Sequence, residues 1–192
     1  MHTPRVASMQ QAGYQLGRTS PHLSTAAGPP MSRLDSFIRR LEAQRTCLDH
    51  AAQLIAGMPG NVLEFGLGNG RTYDHLRSRL PGRDIYVFER RVAAHPDCIP
   101  PADRLFLGDF LETLPRAAAQ LGAHSALANL DVGTGDEAAS QALARALTPW
   151  VLRLLRPGAM VVSDQPVADP ALEAMDLPHG IEPGRYFLRR RR

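Results

Sequence analysis

The sequence predicts an α/β protein, a three-layer α/β/α sandwich built on one mainly parallel sheet. Three observations carry that expectation. Short runs that are apolar throughout alternate with longer segments of helical periodicity, the pattern of strands covered on both faces. Each apolar run ends in an acid or reaches one immediately beyond its end: Glu64, Glu89, Asp109, Asp131 and Asp164. The first run also leads into a glycine-rich turn, Gly66-Leu67-Gly68-Asn69-Gly70. Ligands bind at the carboxyl edge of parallel sheets, so the five acids are expected to converge on one crevice there.

The elements follow in order. Residues 1 to 30 contain no acid and little apolar periodicity, and they end in Gly28-Pro29-Pro30; a disordered leader is expected, with Met31 a candidate for the true start. Ser32 and Asp35 form a capping-box-like pair. They open a helix over 32–56 whose apolar side is Leu34, Phe37, Ile38, Leu41, Leu48, Ala51, Ala52 and Ile55. Gly57-Met58-Pro59-Gly60 breaks that pattern, and residues 61 to 65 make the first strand. A helix from Arg71 to about Leu80 ends at the turn Pro81-Gly82. Strands at 84–89, 104–109 and 125–131 follow, then a helix over 137–155, a turn at Pro157-Gly158 and a fifth strand at 159–164. About 28 residues remain, room for an abbreviated antiparallel strand at Arg185-Tyr186-Phe187-Leu188. One domain over 31–188 with a basic tail at 189–192 is the resulting organisation.

Composition narrows the class. A chain of 192 residues with 44% hydrophobic and 21% charged content suits a single soluble domain. No long apolar run suggests a membrane span or a secretory signal, so a cytoplasmic address is expected. Cys47 and Cys98 are too few and too isolated for a disulfide framework or a metal cluster, and reduced thiols are expected. All 22 basic residues are arginines, and seven of them (Arg5, Arg18, Arg185 and Arg189 to Arg192) sit near the ends. Leaving those out sets 15 arginines against 19 acids, a net of −4, so the formal charge of +3 is no sign of a nucleic-acid partner.

The glycine turn carries the chemistry. Glycines at alternate positions let the backbone approach a ligand closely, and Arg71 and Thr72 can open a helix whose amides face an anion. A dinucleotide fingerprint would place its third glycine where Arg71 stands and a pyrophosphate in the loop, which Glu64 would repel. A zwitterionic amino acid suits both groups better, its ammonium near Glu64 and its carboxylate at the helix N-terminus. The run Glu64-Phe65-Gly66-Leu67-Gly68-Asn69-Gly70 thus resembles motif I of the class I S-adenosylmethionine-dependent methyltransferases, a Rossmann-like family. Its longer context, with Ala94-His95-Pro96-Asp97-Cys98, Asp131-Val132-Gly133-Thr134-Gly135-Asp136 and Pro183-Gly184-Arg185-Tyr186-Phe187, is similar to a small bacterial methyltransferase group. Gly66 to Thr72 are accordingly expected to cradle S-adenosyl-L-methionine. Glu89, about 20 residues beyond the turn and followed by Arg90, is placed to accept hydrogen bonds from the ribose hydroxyls. Gly108-Asp109-Phe110 resembles the family's adenine-binding turn, although Asp109 equally suits the cap of the next helix.

The acceptor side is less defined. No Asn-Pro-Pro-aromatic motif follows the fourth strand, which argues against amino-group methylation of adenine or glutamine. Asp131 is the candidate to orient the acceptor or take its proton. With Asp164 and Gln165 it also resembles the cation site of the catechol-type O-methyltransferases, an alternative in which a divalent metal activates a hydroxyl. A metal-free mechanism is the preferred expectation. Two further alternatives are a non-catalytic protein that binds the same donor and a nicotinamide-nucleotide binder. His75 and His95 are candidate bases that read more simply as structural groups; Tyr73 and Tyr186 are expected to shape the pocket. With no inserted substrate domain, a lid must come from the helix at 32–56, the loop 91–103 or a second subunit in a homo-oligomer. That favours a small-molecule acceptor.

Overall fold

Helix α1 (Arg33–Leu54) begins where its cap predicts: in the computed structural model, which describes residues 31–192, the Ser32 hydroxyl oxygen accepts the Asp35 amide at 3.0 Å. The expected leader over residues 1 to 30 lies outside the described residues. Next come β1 (Val62–Phe65), α2 (Arg71–Arg79), β2 (Ile85–Glu89), β3 (Leu105–Leu107), α3 (Phe110–Leu121), β4 (Ser125–Leu130), α4 (Glu137–Leu154), β5 (Leu155–Ser163), β6 (Leu172–Ala174) and β7 (Phe187–Arg191). The strands form one seven-stranded sheet in the order β3-β2-β1-β4-β5-β7-β6. β1 to β5 run parallel, and β7 is antiparallel to both of its neighbours. The order reverses between β1 and β4, and such a reversal opens a crevice above the strand ends.

The three layers follow from the all-buried strands β1 and β4. On one face, α1 and α2 bury Cys47, Leu48, Ala51, Ile55, Tyr73 and Leu76 against Val62, Val87, Leu127 and Val162. On the other, α3 and α4 cover Leu63, Phe65, Phe88, Ala128, Leu130 and Val161. That second face carries an aromatic ladder near the crevice. Phe65 stacks on Phe88 at 4.4 Å between ring centres, and Phe88 on Phe106 at 4.8 Å, because the parallel register sets the three residues side by side. Among the described residues, no helix is long and apolar enough to cross a membrane.

Three expectations needed correction. Pro157 and Gly158 do not end an element: β5 starts at Leu155, and the pairing with β4 shifts register between Ser125 and Leu127 to accommodate them. The C-terminal pair is also complete. β6 supplies the strand thought missing, and its partner runs over 187–191 instead of 185–188. Arg189, Arg190 and Arg191 are therefore strand residues and no basic tail. Their neighbour Leu188 is buried, while the Arg189 guanidinium donates to the Val167 carbonyl at 2.9 Å and Arg190 faces Glu173 at 3.9 Å. Arginine permits this because its apolar stem can lie on a sheet while its head reaches carbonyls and acids. A charge run alone hides that use.

Candidate active site

The crevice lies at the carboxyl edge of β1, β2, β4 and β5, with α1 as its far wall. It encloses about 640 Å³, lined by Arg40, Leu41 and Gln44 of α1, residues 66–69, Arg71 and Thr72 of the turn, Glu89, and Asp131, Gly133, Gly135 and Asp164. A second recess continues past Glu89 and Asp131 to Arg90, Arg91, Phe110, Val132, Thr134 and Leu143. The sequence-predicted acids thus converge in part: Glu89, Asp131 and Asp164 reach the crevice, whereas Glu64 and Asp109 do not.

The turn needs its glycines. Gly66, Gly68 and Gly70 have φ of 90°, 51° and 87°, a region that other residues enter at a cost. At Gly66 space matters as well, since a Cβ there would stand 2.5 Å from the Asp131 carbonyl oxygen. Gly70 closes the turn through its amide on the Leu67 carbonyl (2.8 Å) and occupies the N-cap of α2 without any side-chain cap. The Arg71 amide donates to Asn69 Oδ1 at 3.3 Å, and the amides of Thr72 and Tyr73 complete the first turn that can face an anion.

Glu64 is the largest correction to the expected site. Its side chain is wholly buried under the turn, where it accepts hydrogen bonds from the Thr72 hydroxyl and from Asn129 Nδ2 at 2.9 Å. Burial pushes its pKa up to about 8, against the smaller lowering effect of those two donors. At neutral pH the group is mainly a neutral acid. It does not line the crevice, where the expected ammonium contact would have placed it. Asn129, with Ser125 one of the two polar side chains of β4, lies in register beside Glu64.

Glu89 faces the turn as expected of a residue at this edge. One oxygen accepts the amides of Leu67 (2.8 Å) and Gly68 (3.1 Å), and the other accepts that of Arg91 (3.1 Å). Asp109 is a cap: it accepts the Leu111 amide at 2.9 Å and pairs with Arg90 at 3.0 Å, so it does not line the recess beside its neighbour Phe110. Gly108 keeps its amide on the Glu89 carbonyl, 3.0 Å away.

On the opposite wall, Asp131 accepts Gln44 Nε2 at 2.9 Å and stands 3.6 Å from the Arg40 guanidinium. Asp164 accepts the Val132 amide and the Gln165 side-chain amide, both at 3.2 Å. Burial holds its pKa above the ordinary carboxylate range. The lack of a Cβ at Gly133 makes room for that carboxylate, because one would lie 2.6 Å from its Oδ2. Gln165 thus presents an N–H to Asp164, and no group of three or more His, Cys, Asp or Glu among the described residues could hold a metal ion. Arg40, Leu41 and Gln44 were not singled out from the sequence. The sequence marks only that a polar Gln44 shares helical spacing with Leu48 and Ala51; its burial, at 5% exposed, and its partner emerge on folding.

The remaining candidates lie elsewhere. His75 pairs with Asp49 at 2.9 Å, and His95 caps a short 3-10 turn. Tyr73 and Tyr186 are buried in the α1/α2-side core and do not line the crevice, contrary to expectation. The Tyr186 hydroxyl has no hydrogen-bond partner among the described residues, and burial raises its pKa.

A crevice at a sheet's switch point, with a left-handed glycine turn, a helix N-terminus without a side-chain cap and an acid ending β2, is the ligand-site architecture of an open α/β sheet. Which member of that class is settled by comparison. The S-adenosyl-L-methionine methyltransferase family model matches residues 31–191, and the chain belongs to that family. Its cofactor is S-adenosyl-L-methionine, and it is a class I methyltransferase. An S-adenosyl-L-methionine methyl transferase from Silicibacter pomeroyi DSS-3 is 46% identical, covering 84% of this chain and 99% of its own, with a TM-score of 0.80. An O-methyltransferase from Bacillus cereus in complex with S-adenosylhomocysteine (SAH) is 15% identical over 84% of this chain and 82% of its own, at a TM-score of 0.53. Human methyltransferase-like protein 13, also in complex with SAH, is 16% identical over 81% of each chain, at 0.53. At such identities the last two speak to the fold alone. A search of curated proteins found no match.

Proposed function

We propose that this chain methylates a small-molecule acceptor in the crevice between the glycine turn and α1, without a metal ion. The observation that carries this reading is the pair of strand-end carboxylates, Asp131 and Asp164, set across from the turn and walled by Arg40, Leu41 and Gln44. Glu89 suits the donor's ribose, and the recess beside Phe110, Val132 and Leu143 suits its adenine. Gly66 to Thr72 suit its amino-acid end. Bound there, S-adenosyl-L-methionine supplies an electrophilic methyl group.

The chain's own work is to orient the acceptor and hold its proton. Asp131 has both oxygens engaged, by Gln44 and Arg40, which suits it to hold a charged group of the donor in place and not to take the acceptor's proton. Among the described residues Asp164 is in no ion pair, and burial raises its pKa, which suits it to accept a proton. The proton-accepting role expected of Asp131 is therefore proposed for Asp164. In the metal-dependent alternative, Asp131, Asp164 and Gln165 would hold the cation, and chelation separates the two readings. SAH release measured over a panel of small amines, alcohols, phenols, thiols and carboxylates tests the reading. Turnover that survives chelation and falls in Asp164→Asn supports it; turnover abolished by chelation would refute the metal-free mechanism.

A further inference from the structure

Burial of Glu64 leaves the donor's charged end without its expected partner, while α1 brings Arg40, which has no role so far, beside Asp131 in the same crevice. Arg40 Nη1 stands 3.6 Å from Asp131 Oδ1, with the two side chains 38% and 27% exposed. Gln44, one helical turn beyond Arg40 and itself nearly buried, fixes the other Asp131 oxygen at 2.9 Å. A guanidinium beside a carboxylate is the charge complement of an α-amino acid, whose carboxylate lies beside its ammonium. The spacing exceeds that of a tight charge-assisted hydrogen bond, and half-exposed pairs contribute little by themselves, so a zwitterion can exchange with it at low cost.

We propose that Arg40 and Asp131, the latter positioned by Gln44, recognise the amino-acid zwitterion of the donor: guanidinium to carboxylate, carboxylate to ammonium. This rests on the donor site proposed above. Arginine suits the task because its planar fork matches a carboxylate with two parallel donors. Arg71 is the competing cation, since it lines the crevice from the turn. The pair would make α1 part of donor selection, favouring S-adenosyl-L-methionine and SAH over adenosine thioethers that lack the amino acid.

Calorimetric titration of the full chain with SAH and with 5′-methylthioadenosine, which lacks the amino-acid part, separates the possibilities. Arg40→Ala is expected to weaken SAH binding by about ten- to a hundredfold and to leave methylthioadenosine within about twofold. Arg40→Lys should recover part of the loss, and Arg71→Ala should cost less than Arg40→Ala. Methylthioadenosine binding also reports that each variant is folded. Unchanged SAH affinity in Arg40→Ala, equal losses for both ligands, or a larger loss in Arg71→Ala would overturn the pairing while leaving the donor site standing. If the wild-type chain bound neither compound, the donor site would fall and the pairing with it.

Discussion

The two walls of the crevice are built in different ways. On the turn side, residues 66 to 72 are neighbours along the chain, and their backbone does most of the work through positive φ, close approach and free amides. On the α1 side, Arg40, Gln44, Asp131 and Asp164 come from three regions of the sequence, and each is held by another element. Two carboxylates sharpen the contrast. Glu64, under the turn, is sealed and mainly neutral, whereas Asp131 lies open to the crevice against a guanidinium. Position in a motif did not distinguish their roles; burial and partners do.

The most damaging test of the turn wall is Gly66→Ala. A side chain there meets both an unfavourable φ and the Asp131 carbonyl oxygen at 2.5 Å, so either the turn or the β4 end must move. SAH binding should be lost, and stability in chemical denaturation should fall by about 1–3 kcal/mol. Wild-type affinity in this variant would break the claim that backbone shape makes this wall.

Glu64→Gln tests the sealed carboxyl. The folded pKa of about 8 lies above the ordinary 4.5, so between those values the folded chain keeps a proton that the unfolded chain releases. The contribution of Glu64 is then fully present below pH 4.5 and lost as pH rises toward 8, at up to about 1.4 kcal/mol per pH unit. Urea midpoints across that window should show the wild type losing ground steadily to the glutamine variant. SAH affinity at pH 7 should barely change, because the group does not face the ligand. A parallel pH dependence in the two proteins would mean that Glu64 is ionised and solvated.

Asp131→Asn makes the opposite prediction for the open carboxylate. Donor affinity should drop by roughly tenfold or more while the thermal midpoint stays close to that of the wild type. Equal sensitivity of Glu64→Gln and Asp131→Asn in SAH titrations would erase the distinction between the walls. The smallest effect is expected of Asp109→Ala. Loss of the α3 cap should cost about 0.5–2 kcal/mol of stability and leave SAH binding unaltered, whereas a large affinity loss would restore Asp109 to the adenine site.

What the sequence disclosed follows the same division. The alternation of apolar runs and helices located α1, α2, α4 and the first four strands, because period and punctuation are local properties; the start of β5 was not legible, since only pairing with β4 carries the strand through Pro157 and Gly158. The glycines, Glu89 and the Ser32 cap were legible for the same reason. Gln44 and Arg40 were not, since only the docking of α1 against the β4 end gives them a partner at Asp131. Nor was the state of Glu64, which depends on Asn129 lying alongside in β4 and on Thr72 closing from above. β7 was misread because a run of arginines looks solvated until carbonyls of the 167–171 segment and an acid in β6 are folded next to it.

The central claim is that the donor sits between the glycine turn and α1, with its charged end away from Glu64. A crystal structure of the SAH complex tests this most directly. The account predicts the homocysteine part between the turn and the Arg40–Asp131 pair, the ribose at Glu89 and the adenine beside Phe110, with Glu64 still bonded to Thr72 and Asn129. An exposed Glu64 in contact with the ligand's ammonium, or SAH bound outside this crevice, would contradict it.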